Sequence, residues 1–221
     1  MKRNCHQARY PFLLLVLLLT VVGCTKEEAA RRESLRLTAS GDVSVQNGEW
    51  EEAVRSYTLA LEANPLNVDA LYGRSSARLV TAKEFYLLAR AAAGEGETTR
   101  AREIASKADR DFSLAAQDAA AILKIDADVA DACYILGCVA VYQGDWFGAL
   151  DAFTETIRRA PDMACAYQRR GEVYGYINDL ENESADLKQA ARLGYVSQEE
   201  TDAPDDEYSR TAETETAESL Y

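Results

Sequence analysis

Histidine is almost absent from this sequence of 221 residues, which contains one copy, His6. Because His6 precedes an apolar N-terminal run, the remaining chain has no imidazole for a Ser-His-Asp triad, a metal site or a proton relay near neutral pH. A phosphate-binding loop is also missing, since Gly94-Glu95-Gly96 lacks the lysine and the preceding strand of such loops. The sequence therefore predicts no catalytic residues, no metal site and no cofactor, and it favours a protein that is not an enzyme.

Positive charge is scarce, because 24 Lys and Arg stand against 37 Asp and Glu, which gives a net charge of −13. No run of Lys or Arg and no basic helix is visible, and an acidic surface repels phosphate backbones. Nucleic acid is therefore not a predicted partner. Proline is rare as well, with four copies, whereas 48% of the residues are hydrophobic. This composition favours a helical globular protein over a disordered one.

Cysteine occurs five times, but without a CxxC pair or the histidines that would complete a zinc site. Cys5 and Cys24 lie near the N-terminus, and Cys133, Cys138 and Cys165 lie on predicted helices. We interpret these last three as small buried residues. In an exported protein, a Cys138–Cys165 or Cys133–Cys165 disulfide is the alternative.

The N-terminal 23 residues have the pattern of a signal peptide. Lys2, Arg3 and Arg9 precede an apolar run over residues 12–22, and no acidic residue accompanies them. A run of this length is too short for a membrane-spanning helix, which needs roughly 20 residues, and it is typical of the core of a secretory signal. Residues 1–23 are therefore predicted to be removed, which would make the charge of the mature chain about −16.

The junction Val21-Val22-Gly23-Cys24 resembles the bacterial lipoprotein box. The resemblance implies that the Cys24 thiol receives a diacylglycerol, that cleavage occurs before Cys24, and that the new amine is acylated, typically with palmitate. Several acyl chains on one residue anchor a protein stably, whereas a single chain is marginal. The expected location is the bacterial cell envelope, facing the periplasm or the surface, and Thr25 favours the outer membrane where there are two. An ordinary secreted protein is the alternative.

An internal repeat organises the rest of the chain. Gly41-to-Pro65 and Gly137-to-Pro161 agree at a constant offset of about 96 residues in Gly41/Gly137, Gly48/Gly144, Trp50/Trp146, Ala53/Ala149, Tyr57/Phe153 and Pro65/Pro161. Internal repeats of this kind are typical of solenoid proteins built from stacked helical units. The pattern predicts helices over residues 29–46, 49–63, 70–93 and 99–124, with Thr98 as an N-cap and Leu35, Leu37, Val43 and Val45 on the buried face of the first.

These residues resemble the tetratricopeptide repeat, a helical hairpin of 34 residues with small residues where its two helices cross. The third copy, residues 130–163, matches best, and Gly171 lies one unit after Gly137. The resemblance implies an all-α, right-handed solenoid of about four hairpins over residues 34–195, after a short tether at 24–33. The distance of 96 residues equals two units of 34 plus about 28, and we assign the extra 28 to longer helices in the second hairpin.

Stacked hairpins place their first helices along a concave groove, where tyrosine is suited to holding a peptide. The predicted groove residues are Tyr72, Asp131, Tyr134, Tyr142, Gln168, Glu172 and Tyr176. Packing between hairpins is the alternative role for Tyr142 and Tyr176. Residues 196–221, with nine acids and one arginine, are predicted to be a disordered tail or a segment that docks on a basic partner.

The sequence thus predicts a membrane-anchored, non-catalytic adaptor for a protein or peptide partner in the cell envelope. The alternative is an accessory lipoprotein that binds a small ligand or assembles with a transporter component. In that alternative the long second hairpin closes a pocket or mediates oligomerisation.

Overall fold

The computed structural model describes the backbone of residues 10–196 and the side chains of residues 26–196. Within this range the chain forms eight α-helices and no strand: α1 (Tyr10–Gln46), α2 (Trp50–Ala63), α3 (Val68–Gly94), α4 (Thr98–Ile125), α5 (Ala130–Tyr142), α6 (Trp146–Arg159), α7 (Ala164–Tyr176) and α8 (Leu180–Arg192). The all-α prediction is confirmed. Residues 1–9 of the predicted signal peptide, the side chain of Cys24 and residues 197–221 of the predicted tail lie outside the described residues.

The described residues form two compact units, unit 1 and unit 2, which divide between Ala77 and Arg78. In unit 1, α1 and α2 form an antiparallel hairpin. The first part of α3, up to Ala77, belongs to the same unit. In unit 2, α5 pairs with α6 and α7 with α8, while α4 packs on α5 and α6 on α7. Successive hairpins of unit 2 therefore stack in chain order, which is the arrangement that the repeat predicted.

The first helix differs from its prediction in two respects. It runs without a break from Tyr10 to Gln46, so residues 24–33, predicted as a short tether, are helical. The predicted buried face is wrong for Leu35 and Val43, which are 59% and 56% exposed. Within residues 26–196, no helix is long and apolar enough to cross a membrane.

The buried face of α1 is polar instead. Ser34 is fully buried, and Thr38 and Ser44 are nearly so. The side-chain amide of Asn67 donates to Ser34 Oγ at 2.8 Å and to Thr38 Oγ1 at 3.0 Å, while its oxygen accepts from the backbone N–H of Ala70 at 3.1 Å. The buried hydroxyls of Ser34 and Thr38 therefore both have a hydrogen-bond partner in Asn67, as buried polar groups require. Asn67 thereby holds α1 against the start of α3.

Small residues permit the close contacts that the repeat predicted. A Cβ atom at Gly41 would lie 2.6 Å from the Tyr57 ring, and one at Gly73 would lie 2.4 Å from it. Tyr57 therefore occupies the space between α1 and α3, and its hydroxyl donates to Asp42 at 2.7 Å. Phe153 has the same place in the third hairpin, 2.6 Å from a Cβ at Gly137.

The second hairpin is longer than the third by two heptads in each helix. α3 and α4 have 27 and 28 residues, whereas α5 and α6 have 13 and 14. Each difference is 14 residues (27 − 13 and 28 − 14), so the predicted 28 extra residues are confirmed. Fourteen residues make almost four turns and add roughly 21 Å. Alanines recur at seven-residue intervals along its buried side, at 82 and 89 and at 101, 108 and 115.

Each hairpin turns through one residue with positive φ. Gly48, Gly96 and Gly144 have φ of 73°, 80° and 73°, and Asn178 has 60° at the same place in the fourth hairpin. The next residue is the N-cap of the second helix, so the prediction of Thr98 as an N-cap is wrong and Glu97 has that role. Gly96 precedes Glu97 just as Gly48 precedes Glu49. The residue with positive φ therefore determines which residue is the N-cap.

We expect the substitution Asn178→Gly to stabilise the protein by roughly 0.5–1 kcal/mol, because glycine adopts positive φ without the steric cost of a side chain. The reciprocal substitution Gly144→Asn should destabilise it by a similar amount. Urea unfolding followed by circular dichroism measures both changes. Equal stabilities of the two variants would contradict this account of the turn.

The fourth hairpin is packed less tightly at the helix crossing. Leu187 stands where Tyr57 and Phe153 stand in the other copies, and a Cβ at Gly171 would lie 3.1 Å from it. A buried ion pair joins the two helices instead. The guanidinium of Arg170 donates to both carboxylate oxygens of Asp186, at 2.7 and 2.9 Å.

Candidate functional site

A cavity of about 150 Å³ lies in unit 2, between α3, α5 and α7. Three first helices of consecutive hairpins therefore supply its walls, as predicted for a groove. Apolar and aromatic side chains form most of the surface, and a few charged groups converge on it. Its lining residues are Leu79, Val80, Lys83, Tyr134, Cys138, Val141, Tyr142, Arg169, Glu172, Val173 and Tyr176.

Aromatic contacts hold two of the lining tyrosines in place. The Tyr142 ring stacks on Phe112 with centroids 4.9 Å apart, and it meets the edge of Tyr86 at 5.3 Å. The Tyr176 ring stacks on Trp146 at 4.8 Å. Both tyrosines therefore pack against other aromatic residues and also face the cavity, so the two roles considered for them are combined.

The charged wall of the cavity comes from α7. Arg169 donates to Glu172 at 2.9 Å, and the side-chain amide of Gln168 donates to the same carboxylate at 3.0 Å. Burial alone lowers the pKa of Arg169, but the Glu172 charge and the Tyr134 hydroxyl outweigh it and raise that pKa. Arg169 is therefore a permanent cation. Burial also raises the pKa of Tyr134, which stays a neutral hydrogen-bonding group.

All three described cysteines are free thiols in the structure, so neither alternative disulfide is present. Cys133 and Cys138 are buried, as interpreted from the sequence, and Cys165 is half-buried. Cys133 accepts a hydrogen bond of 2.9 Å from Arg159. Cys138 lines the cavity together with Tyr134.

We expect iodoacetamide at pH 8 to modify Cys165 well before Cys138. Only the thiolate reacts, and burial raises the pKa of both thiols, that of Cys138 to about 11. Cys138 is also buried, whereas Cys165 is half-buried and more accessible to the reagent. Roughly one Cys138 thiol in a thousand is then ionised at pH 8, and its reaction should accelerate as the pH rises toward 11. Peptide mapping by mass spectrometry at timed intervals separates the sites. Equal rates at the two cysteines would contradict the buried position of Cys138.

The structure brings together most of the predicted groove residues. Tyr134, Tyr142, Glu172 and Tyr176 line the cavity, and Gln168 is bonded to Glu172 beside it. Asp131 is exposed in the first turn of α5 and is not a lining residue. Tyr72, 42% exposed, belongs to unit 1 and is not a lining residue either.

Sequence reasoning missed several lining residues, most clearly Leu79, Val80 and Lys83. A helix as long as α5 would end at Val80, and Lys83 lies beyond that point, so the other copies have no counterpart to Lys83. Arg169 was visible in the sequence as a residue that could pair with a carboxylate, and its contact with Glu172 is of that kind. Within residues 26–196, no group of three or more His, Cys, Asp and Glu side chains is arranged to hold a metal ion.

Comparisons with known proteins agree with this architecture. A protein-family model described as tetratricopeptide repeat matches residues 38–85. The chain has a tetratricopeptide repeat fold. The tetratricopeptide repeat domain of Arabidopsis OM64 superposes with a TM-score of 0.50 at 18% identity, covering 66% of this chain and 98% of that one. No curated protein sequence matches the chain.

A second solved structure with the tetratricopeptide repeat fold is described as the first TPR of Spaghetti (RPAP3) bound to HSP90 peptide SRMEEVD. Its TM-score is 0.51 at 16% identity, and the match covers 67% of this chain and 95% of that one. These likenesses establish the fold.

Proposed function

We propose that this protein is a membrane-anchored, non-catalytic adaptor that binds a peptide segment of a partner protein in the bacterial cell envelope. The observation that carries the proposal is the convergence of Tyr134, Tyr142, Glu172 and Tyr176 on one cavity between consecutive first helices. A concave site with an apolar interior and a few convergent polar groups is the usual form of a binding site.

The geometry suits a peptide. The tyrosine rings offer large contact areas at a small cost in side-chain entropy. The Tyr134 hydroxyl and the Gln168–Glu172–Arg169 cluster offer donors and acceptors for a backbone. The Spaghetti structure contains a bound peptide, which supports the capacity of this fold to hold one.

Selection of peptides tests this function. A random display library of about twelve residues is applied to the full-length chain in lipid nanodiscs, with empty nanodiscs as the background. We expect enriched peptides to lose about tenfold or more in affinity in Tyr134→Ala, as for a buried interface tyrosine. Phe147→Ala, a change at an aromatic that is 74% exposed outside the cavity, should leave affinity unchanged. Absence of any enriched peptide would refute the adaptor function.

The anchor is a separate part of the proposal and rests on the sequence around Cys24. We propose that acylated Cys24 holds the protein in a membrane of the cell envelope, the outer membrane where there are two. Metabolic labelling with an alkyne analogue of palmitate should mark the protein, and Cys24→Ser should abolish the label. Cys165→Ser is the control and should retain it. Labelling that persists in Cys24→Ser would refute the anchor.

One observation favours a second function, an accessory lipoprotein that binds a small ligand or assembles with a transporter component. Part of the cavity wall, at Lys83, comes from the extended second hairpin. This is the arrangement predicted for a hairpin that closes a pocket. A metabolite that co-purifies with the protein and is lost in Tyr134→Ala, with no peptide enriched, would support this function over the adaptor. The same hairpin is the proposed contact for oligomerisation.

A further inference from the structure

We propose that the cavity seats one uncharged side chain of the partner peptide, of the size of leucine, methionine or phenylalanine. We further propose that the extension of the second hairpin sets this size limit. The inference rests on the proposed adaptor function and specifies its ligand.

The volume of the cavity limits the size of its occupant. The cavity volume of about 150 Å³ is close to that of an engineered apolar cavity that binds benzene. An isobutyl, thioether or phenyl group fits such a space, whereas an indole ring requires more. Filling an apolar cavity recovers dispersion contacts that its lining otherwise lacks.

The lining of the cavity also favours an uncharged occupant. The cations and the acid of the lining are already engaged: Arg169 is paired with Glu172, and Lys83 makes an interaction of its own. The remaining lining is leucine, valine, cysteine and tyrosine. A charged occupant would lose its hydration without gaining a free counter-ion, which is costly in an apolar site. The complement of this cavity is therefore a neutral group.

The extension of α3 supplies the wall that sets the size limit. If α3 had the 13 residues of α5 and α7, it would end at Val80. Lys83, which lines the cavity, and Tyr86, whose ring supports Tyr142, exist only because the helix continues. The extension therefore closes one side of a groove that a helix of ordinary length would leave open.

The experiment compares the full-length chain with a shortened variant, both in nanodiscs, in the same peptide selection. The variant lacks residues 81–94 and 98–111, which restores helices of 13 and 14 residues around the turn at Gly96. We expect peptides selected on the full-length chain to share Leu, Met or Phe at one fixed position. Replacing that residue by Trp should weaken binding to the full-length chain by about tenfold or more, but binding to the shortened variant by less than about threefold.

A second pair of variants keeps the test decisive if the shortened chain fails to fold. Val80→Phe places a ring in the cavity and should abolish the preference at the fixed position. Leu88→Phe introduces the same ring on α3 at a residue that is 56% exposed and outside the lining, and should preserve the preference. Enriched peptides with no fixed apolar position, or a preference that survives Val80→Phe, would overturn the inference while the adaptor function stands. If no peptide is enriched, the adaptor function fails and the inference fails with it.

Discussion

Replacing Gly137 by alanine is expected to lower the free energy of unfolding by about 2–3 kcal/mol, the upper range for added volume in a packed interior. The new Cβ would lie 2.6 Å from Phe153, whose side chain is fully buried and cannot move without displacing its neighbours. Urea unfolding followed by Trp146 fluorescence, in a Trp50→Phe background, reports on the third hairpin because Trp146 begins α6.

Two other glycines provide controls for this result. A Cβ atom added at Gly94 would meet no other atom within 4 Å, so Gly94→Ala should be neutral or stabilise by up to about 1 kcal/mol. Gly171 faces the flexible Leu187 at 3.1 Å, and Gly171→Ala should cost less than Gly137→Ala. A ranking in which Gly137→Ala costs no more than Gly171→Ala would contradict the packing role of the Phe153 ring.

Removing Arg170 is expected to have the second large effect, about 3 kcal/mol or more for Arg170→Ala. The substitution leaves the carboxylate of Asp186, a residue only 7% exposed, without the guanidinium that donates two hydrogen bonds to it. The hydrogen bond with Asp186 is also the main cause that raises the pKa of Arg170, so the arginine stays charged at every accessible pH.

The matched control is Arg158→Ala, which removes a surface partner of Glu155 on α6. The Arg158 side chain is 64% exposed, and exposed pairs of this kind contribute little to stability. The double variant Arg170→Leu/Asp186→Leu should recover most of the loss, because two apolar groups leave no buried charge. Thermal unfolding of the four proteins checks these results. An equal loss in Arg158→Ala and Arg170→Ala would contradict the buried ion pair.

The repeat made the hairpins predictable because it rests on contacts between specific residues. Gly41 and Gly137 recur together with Tyr57 and Phe153 because each glycine packs directly against an aromatic ring, and the structure has these contacts. The length of the second hairpin was predictable for the same reason. The offset between copies counts residues and does not depend on assigning each helix end.

The buried face of α1 was not predictable from hydrophobicity. Ser34 and Thr38 replace the apolar residues that such a face normally has, and they are buried because Asn67, distant in sequence, provides their hydrogen bonds. A pattern of apolar spacing selects Leu35 and Val43 instead, which are exposed. Tertiary partners, rather than local sequence, decide this surface.

The candidate site was predictable where the copies share a register. Tyr134 and Glu172 were assigned to the groove from their positions in the repeat, and both line the cavity. Lys83 could not be assigned in this way, because it lies in the two added heptads, which the other hairpins lack. Asp131 follows the same register as its neighbours, but it sits one helical turn away from the lining residues of α5.

The added length of α3 and α4 makes this hairpin an adjustable spacer. Since an α-helix rotates by about 100° per residue, seven more residues in each helix would move the tip by about 10 Å and turn its surface by only about 20°. Five residues would instead turn that surface by about 140°. The second hairpin can therefore lengthen in steps of seven residues and still present the same side chains to a partner at its tip, whereas other lengths present different ones.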